Sequence, residues 1–304
     1  MNQPLFWSLA ILGLFIWLMF RPFATAPWKI MGAFGLLLLA HPITIAALRA
    51  SDKAYPLKYD YVLQSIDVAL GITAFQVARL FTPFDRTILY AVYDSMNAAM
   101  VAWYGVHVVM RGGESRKLLY TYFILFLVGA SLYGVVPAMG PRYAFSETFP
   151  MGNPQGSGHP AALAGYPNAM PSLHLATALA LVLFHNRNRW LLSLSLAFLV
   201  GTIAATLAFE HYVIDLVVGV PFACFAVELA YGRLVSSARY MGCVLVWLGL
   251  IRFASAGLVG HPWLLRFLAV FTVSLGVRAI FRRWREDPRE RLPQLEPVVF
   301  GHRV

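Results

Sequence analysis

Two stretches of this chain combine histidine with the residue types that phosphate chemistry uses. In "PSLH", Ser172 stands two residues ahead of His174, and in "HYVID", His211 stands four residues ahead of Asp215. At 3.6 residues per turn, positions four apart share one helix stripe, so the Asp215 carboxylate can accept a hydrogen bond from one imidazole nitrogen and fix the tautomer. The other nitrogen of His211 is then free to attack. Pro171 and Ser172 make a conventional helix start ahead of His174. Two helix N-termini meeting at one face would offer unpaired amides and positive dipole ends to an anion. Arg142, after Gly140 and Pro141, adds a planar guanidinium suited to phosphate oxygens.

These residue types point to phosphoryl transfer through a covalent phosphohistidine. His211 is the expected nucleophile, held by Asp215. His174 is the expected acid for the leaving oxygen and base for the incoming acceptor, becoming an effective acid mainly once a phosphate dianion is bound. Arg142 and the helix amides would stabilise the transition-state charge. Ser172 reads both as an N-cap and as a phosphate donor. Tyr143 is either a phosphate-side contact or a tyrosine of the membrane-interface belt. Asp94 and Asn97 could bind an acceptor headgroup or join helices. His159 either lines the site or marks a turn, and Glu210 either repels phosphate or orients the acceptor hydroxyl.

The elements that must position these groups are membrane helices. Of 304 residues 59% are hydrophobic and 12% charged, with mean hydropathy +0.66, against roughly a quarter charged in soluble domains. The expected fold is all-α and polytopic, with about nine transmembrane helices near residues 4 to 20, 30 to 48, 87 to 110, 117 to 137, 171 to 186, 190 to 208, 212 to 231, 239 to 256 and 263 to 281. Between the second and third, residues 59–81 read as an amphipathic helix in the membrane plane, with Gln64, Asp67, Gln76 and Arg79 as its polar positions. The Gly- and Pro-rich segment 138–169 reads as an ordered, irregular loop. Cys224 and Cys243 lie in apolar runs, implying neither a disulfide framework nor a metal site.

The net charge of +10 belongs to topology, not to nucleic-acid binding. Most Lys and Arg fall on one set of loops and the tail, which the positive-inside bias assigns to the cytoplasm. Segment 138–169 and the turn at Glu210 then face outward, so both histidines open on the extracytoplasmic side, in an integral protein of the plasma (inner) membrane. The first apolar stretch lacks a positive n-region and reads as a retained span, not a signal peptide.

The stretches around His174 and His211 resemble the phosphatidic acid phosphatase type 2 superfamily, whose signature blocks contain Pro-Ser-x-His and His-x-x-x-Asp. "PSLH" and "HYVIDLVVG" are most similar to the inositol phosphorylceramide synthase branch, which in turn is similar to sphingomyelin synthases. The resemblance covers residues 86 to 232. It implies a six-helix core, an outward or lumenal site, no metal or other cofactor, and lipid phosphate esters as substrates: a phospholipid, or a polyprenyl or sphingolipid phosphate. The phosphatase-type pattern also has Lys-x6-Arg-Pro in its first block, where this chain has Val135, Arg142 and Tyr143. It has an Arg six residues before the third-block His, where this chain has Ala205. The synthase-like branch lacks that Arg too, which favours a transferase over a phosphatase with water as acceptor.

The expected organisation is a two-span region with the interfacial helix over 1–85, the catalytic core over 86–232, two further spans over 233–282 and a cytoplasmic tail over 283–304. A secondary transporter would place its polar residues near the bilayer midplane, often in repeated halves. This sequence clusters them at one interface and shows no repeat.

Overall fold

The computed structural model describes residues 35, 48, 52 and 54–285, apart from 112–113, 153, 155, 157–158 and 185–188. The apolar stretches 4 to 20 and 30 to 48 therefore lie outside the described residues, save Gly35 and Leu48, as does almost all of the tail. Eleven helices are described, in an all-α membrane protein. In chain order they are α1 (Asp60–Leu70), α2 (Ala74–Arg79), α3 (Pro83–Asp94), α4 (Met96–Arg111), α5 (Glu114–Leu132), α6 (Pro141–Ala144), α7 (Leu173–Phe184), α8 (Arg189–Phe209), α9 (Val213–Ala230), α10 (Leu234–Gly260) and α11 (Pro262–Arg285). Four of them, α8 to α11, are long and apolar enough to cross a membrane.

Two features of the nine-span reading change. The stretch 87 to 110 is two helices broken at Ser95, whose hydroxyl donates to the Val92 carbonyl at 2.8 Å, a side-chain bond that competes with the helix ladder. The stretch 117 to 137 stops as a helix at Leu132. The helix that begins within "PSLH" is described over Leu173–Phe184, and the residues that follow it, 185–188, lie outside the described ones.

Helix α9 is the most buried of the four long helices and packs against α5, α7, α10 and α11. Near its end Glu228 pairs with Arg282 (2.8 Å), Arg283 (3.3 Å) and Arg233 (3.7 Å) and so ties α9 to α11. A bond from Trp247 Nε1 to Thr272 Oγ1 (2.9 Å) joins α10 to α11. Another, from Trp103 Nε1 to Ser195 Oγ (3.0 Å), joins α4 to α8.

The expectation of one continuous amphipathic helix over 59–81 is corrected. The segment is helical, but Gly71 in the left-handed conformation (φ 90°) divides it into α1 and α2. In α1, Gln64 and Asp67 are as buried as Leu63 and Ile66. The helix packs on α9, α10 and α11, and its polar side chains serve backbone groups of neighbouring segments instead of water. The loop 138–169 is not wholly irregular either. It holds the single turn α6 and a short strand, β2 (Ala161–Ala162), which pairs antiparallel with β1 (Leu57–Lys58) in the register Leu57 to Ala162.

Candidate active site

The site forms where α7 and α9 begin. Helix α7 opens at Leu173, with Ser172 as its cap: Ser172 Oγ accepts from Leu175 N at 3.3 Å, which satisfies one of the amides a helix start leaves open. Ser172 N in turn donates to the Asp215 carbonyl at 3.3 Å. The close approach has a steric condition, because a Cβ on Gly219 would lie 3.1 Å from the Ser172 carbonyl oxygen. The two helix starts are thereby joined through their backbones.

His211 precedes α9, which begins at Val213, so the expected shared helix stripe is replaced by a capping geometry. Asp215 is the third residue of the helix and reaches back. Its Oδ2 accepts from Tyr212 N at 2.9 Å and lies 3.4 Å from His211 Nδ1. Both side chains are buried, His211 at 1% and Asp215 at 0% exposure. His174, in the first turn of α7, is partly exposed. Its ring centroid lies 5.9 Å from that of His211, with the planes inclined at 64°.

Two groups of residues surround this pair. On one side Tyr93 of α3 stacks on His174, centroids 3.9 Å apart and planes at 22°. Its hydroxyl donates to Glu210 Oε2, while Tyr143 donates to Glu210 Oε1 at 2.8 Å. Glu210 is thus an acceptor for two tyrosines, and Tyr143 meets the site through it. Burial, then the nearness of Glu210, pushes the Tyr143 hydroxyl well above its ordinary range, so it stays a donor.

On the other side stand two carboxylates of α1. Asp67 accepts from Val213 N (2.8 Å) and Ile214 N (3.1 Å), so the amides at the start of α9 are occupied by a side chain and do not form the anion cradle expected from that helix end. Asp60 accepts from Gly140 N (2.8 Å), Met139 N (3.1 Å) and the Tyr212 hydroxyl (3.0 Å). It therefore joins the segment before Arg142 to the turn that carries His211. Burial raises Asp60 to about 6 against the opposing pull of those donors, and raises Asp67 further. Gly140, at φ 99°, closes the seam: a Cβ there would lie 2.0 Å from the Glu210 carbonyl oxygen.

Arg142 is exposed. Its guanidinium carbon sits 5.8 Å from the Phe209 ring, in a groove of about 520 Å³ that Arg86, Thr87, Tyr90 and Ser146 also line. The structure thus brings His174, His211, Asp215 and Ser172 into one cluster, with Tyr143 one residue removed and Arg142 in the adjoining groove. Asp94 and Asn97 fall on opposite sides of the break at Ser95, and His159 is exposed in the loop before β2. Sequence reasoning missed Asp60, Asp67, Tyr93 and Arg86. Asp60 and Asp67 stand seven apart on one helix face, a signal that a buried stripe can carry acids.

The family model of the PAP2 superfamily matches residues 62–229. No curated protein and no solved structure matches the chain.

Proposed function

This chain belongs to the PAP2 superfamily, whose members are lipid phosphatases or phosphotransferases, and we propose that it is a membrane lipid phosphotransferase of the inositol phosphorylceramide synthase-like kind. In this reading His211 Nε2 attacks phosphorus of a phospholipid. The N–P bond forms, the P–O bond to the leaving alcohol breaks, and His174 gives that oxygen its proton. His174 then takes the proton of an acceptor hydroxyl, whose oxygen attacks phosphorus and releases His211. Asp215 orients the ring and balances its charge while the phosphoryl group is attached. Arg142 and Ser172 serve as phosphate-side residues, and Tyr143 acts through Glu210. The site faces the extracytoplasmic side of the plasma (inner) membrane, with a phospholipid, sphingolipid phosphate or polyprenyl phosphate as substrate.

The observation that carries the reading is the placement of His174 and His211. Their rings lie 5.9 Å apart centre to centre, one partly open to solvent and the other buried. That spacing leaves room for one phosphoryl group between an attacking nitrogen and a proton donor.

The test is product analysis in proteoliposomes with a phospholipid labelled at phosphorus, with and without a ceramide, diacylglycerol or polyprenol. Transfer gives a new labelled lipid that depends on the acceptor. Release of free phosphate at the same rate in both, with no new lipid, makes the chain a phosphatase using the same histidines.

A further inference from the structure

One face of α3 leads away from the catalytic pair. Arg86, Tyr90 and Tyr93 stand at i, i+4 and i+7, a single stripe of the helix. At one end of the stripe Tyr93 lies on His174. In the middle Tyr90 meets Phe209 edge-on, centroids 5.6 Å apart. At the other end Arg86 enters the groove of about 520 Å³ that Arg142 enters from the loop side. The opposite face of α3 carries Phe84 and Ile88, exposed at 73% and 51%, as a lipid-facing stripe would be. The groove therefore lies on the face of α3 away from that stripe, with Phe149, Pro150, Ala208 and Phe209 as its apolar floor.

Cations line the groove itself, while the carboxylates of Asp94 and Glu210 lie near Tyr90 at its edge. Two guanidiniums share the groove with the hydroxyl-bearing residues Thr87, Tyr90 and Ser146, and none of the described residues that line it is acidic. Arg86 is held in place, since its Nη2 donates to the Ala78 carbonyl at 3.1 Å. Phe209, in the groove wall, is followed directly by Glu210 and His211. The groove is thus tied to the histidines by two links, the chain from Phe209 to His211 and the α3 stripe from Tyr90 to Tyr93 on His174.

We propose that the groove is a second anion subsite, which takes a further phosphate on the headgroup side of the substrate while the reacting phosphate sits between the histidines. The assignment rests on the lipid phosphotransfer reading above. It makes the preferred donor a lipid with two phosphate groups, and it makes Arg86 a specificity-determining residue. Guanidinium pairs bind phosphate oxygens in a fixed fork, so charge is read together with position.

The experiment compares two synthetic phospholipids in detergent micelles. They have the same tails and the same reacting phosphate, but one carries a second phosphate on its headgroup. The wild type is expected to favour the doubly phosphorylated lipid in kcat/KM by about tenfold or more, the scale of one charge-assisted hydrogen bond. Arg86→Gln is expected to bring that ratio close to one, chiefly by raising KM for the doubly phosphorylated lipid. Ser146→Asp, which adds a carboxylate without disturbing the Ala78 contact, is expected to lower it as well, while Ile88→Ala on the lipid-facing stripe keeps it.

A wild-type ratio near one overturns the subsite, as does a ratio that survives both groove substitutions. Retained turnover of both lipids by His211→Ala overturns the underlying chemistry instead, so the two failures are separable.

Discussion

Tyr93 lies nearly flat on His174, ring centroids 3.9 Å apart, while its hydroxyl holds Glu210. One residue of α3 thereby couples the exposed histidine to the residue that precedes the buried one. The stack fixes the plane of the His174 ring, from which the proposed mechanism has it deliver a proton, and the hydroxyl anchors the stack.

Separating those two roles is direct. Tyr93→Phe keeps the ring and loses the anchor, for an expected drop in kcat of about tenfold, the scale of a hydrogen bond to a charged acceptor. Tyr93→Ala also frees the imidazole and is expected to cost about a hundredfold, as for a misplaced catalytic group. Steady-state kinetics on both variants checks this, and equal activity in all three proteins would remove Tyr93 from the positioning of His174.

For Asp215, the expected consequence of Asp215→Asn is a fall in turnover of about 10⁴, the scale seen when a histidine loses its orienting carboxylate. Phosphoenzyme trapped by acid-free quenching reads the same step. Label on His211 should vanish in His211→Ala and accumulate far more slowly in Asp215→Asn.

Gly140 carries a backbone constraint. With φ 99° and ψ 156° it occupies a region open essentially to glycine, where other residues cost about 1–3 kcal/mol. Gly140→Ala adds a Cβ 2.0 Å from the Glu210 carbonyl oxygen. A lowered melting temperature in detergent is expected, with loss of activity even at temperatures where the variant stays folded, because the segment before Arg142 must move away from Glu210. Unchanged melting would show that the seam is loose.

Asp60 gives stability a pH dependence whose sign follows from its raised value. Its folded pKa of about 6 exceeds the ordinary carboxylate value of 3.8, so the folded state binds the proton more tightly than the unfolded one. Its contribution is most favourable below about pH 4, declines as pH climbs from about 4 to about 6, and is level above that, a change of about 3 kcal/mol. Thermal unfolding of wild type against Asp60→Asn between pH 4 and 7 should show the slope in the wild type only. A difference between the two that stays flat, or that rises with pH, contradicts the assignment.

Glu228 is expected to matter for stability and not for chemistry. Glu228→Gln takes the carboxylate from the buried Arg283, and from Arg282, which reaches the surface, at a cost of about 3–5 kcal/mol for the buried charge. Melting should fall, while phosphoenzyme formation on His211 persists below the transition.

The parts of this arrangement that were legible in the sequence are those written in local chemistry. His174, His211 and Asp215 stood out because ionisable residues are rare in apolar runs, and helices α8 to α11 because long apolar stretches admit few other forms. What could not be read was which polar residues turn inward. Asp67 looked solvated because helix periodicity alone does not distinguish an acid facing water from one facing the open amides of another helix, and those amides lie 146 residues away in the chain. The break at Ser95 was hidden for the same reason. The capping reach of Asp215 and the helix stripe expected for it share one spacing, so the four-residue interval was right and the conformation behind it was not.

Asp67 also decides where the protein keeps its attraction for negative charge. By occupying the first amides of α9 it covers the open helix end beside His211, and in the proposed reading it leaves the binding of phosphate to replaceable cations such as Arg142 and Arg86. Substrate preference can then drift by exchange of one surface-reaching side chain at a time, with the reactive histidine and its helix left untouched.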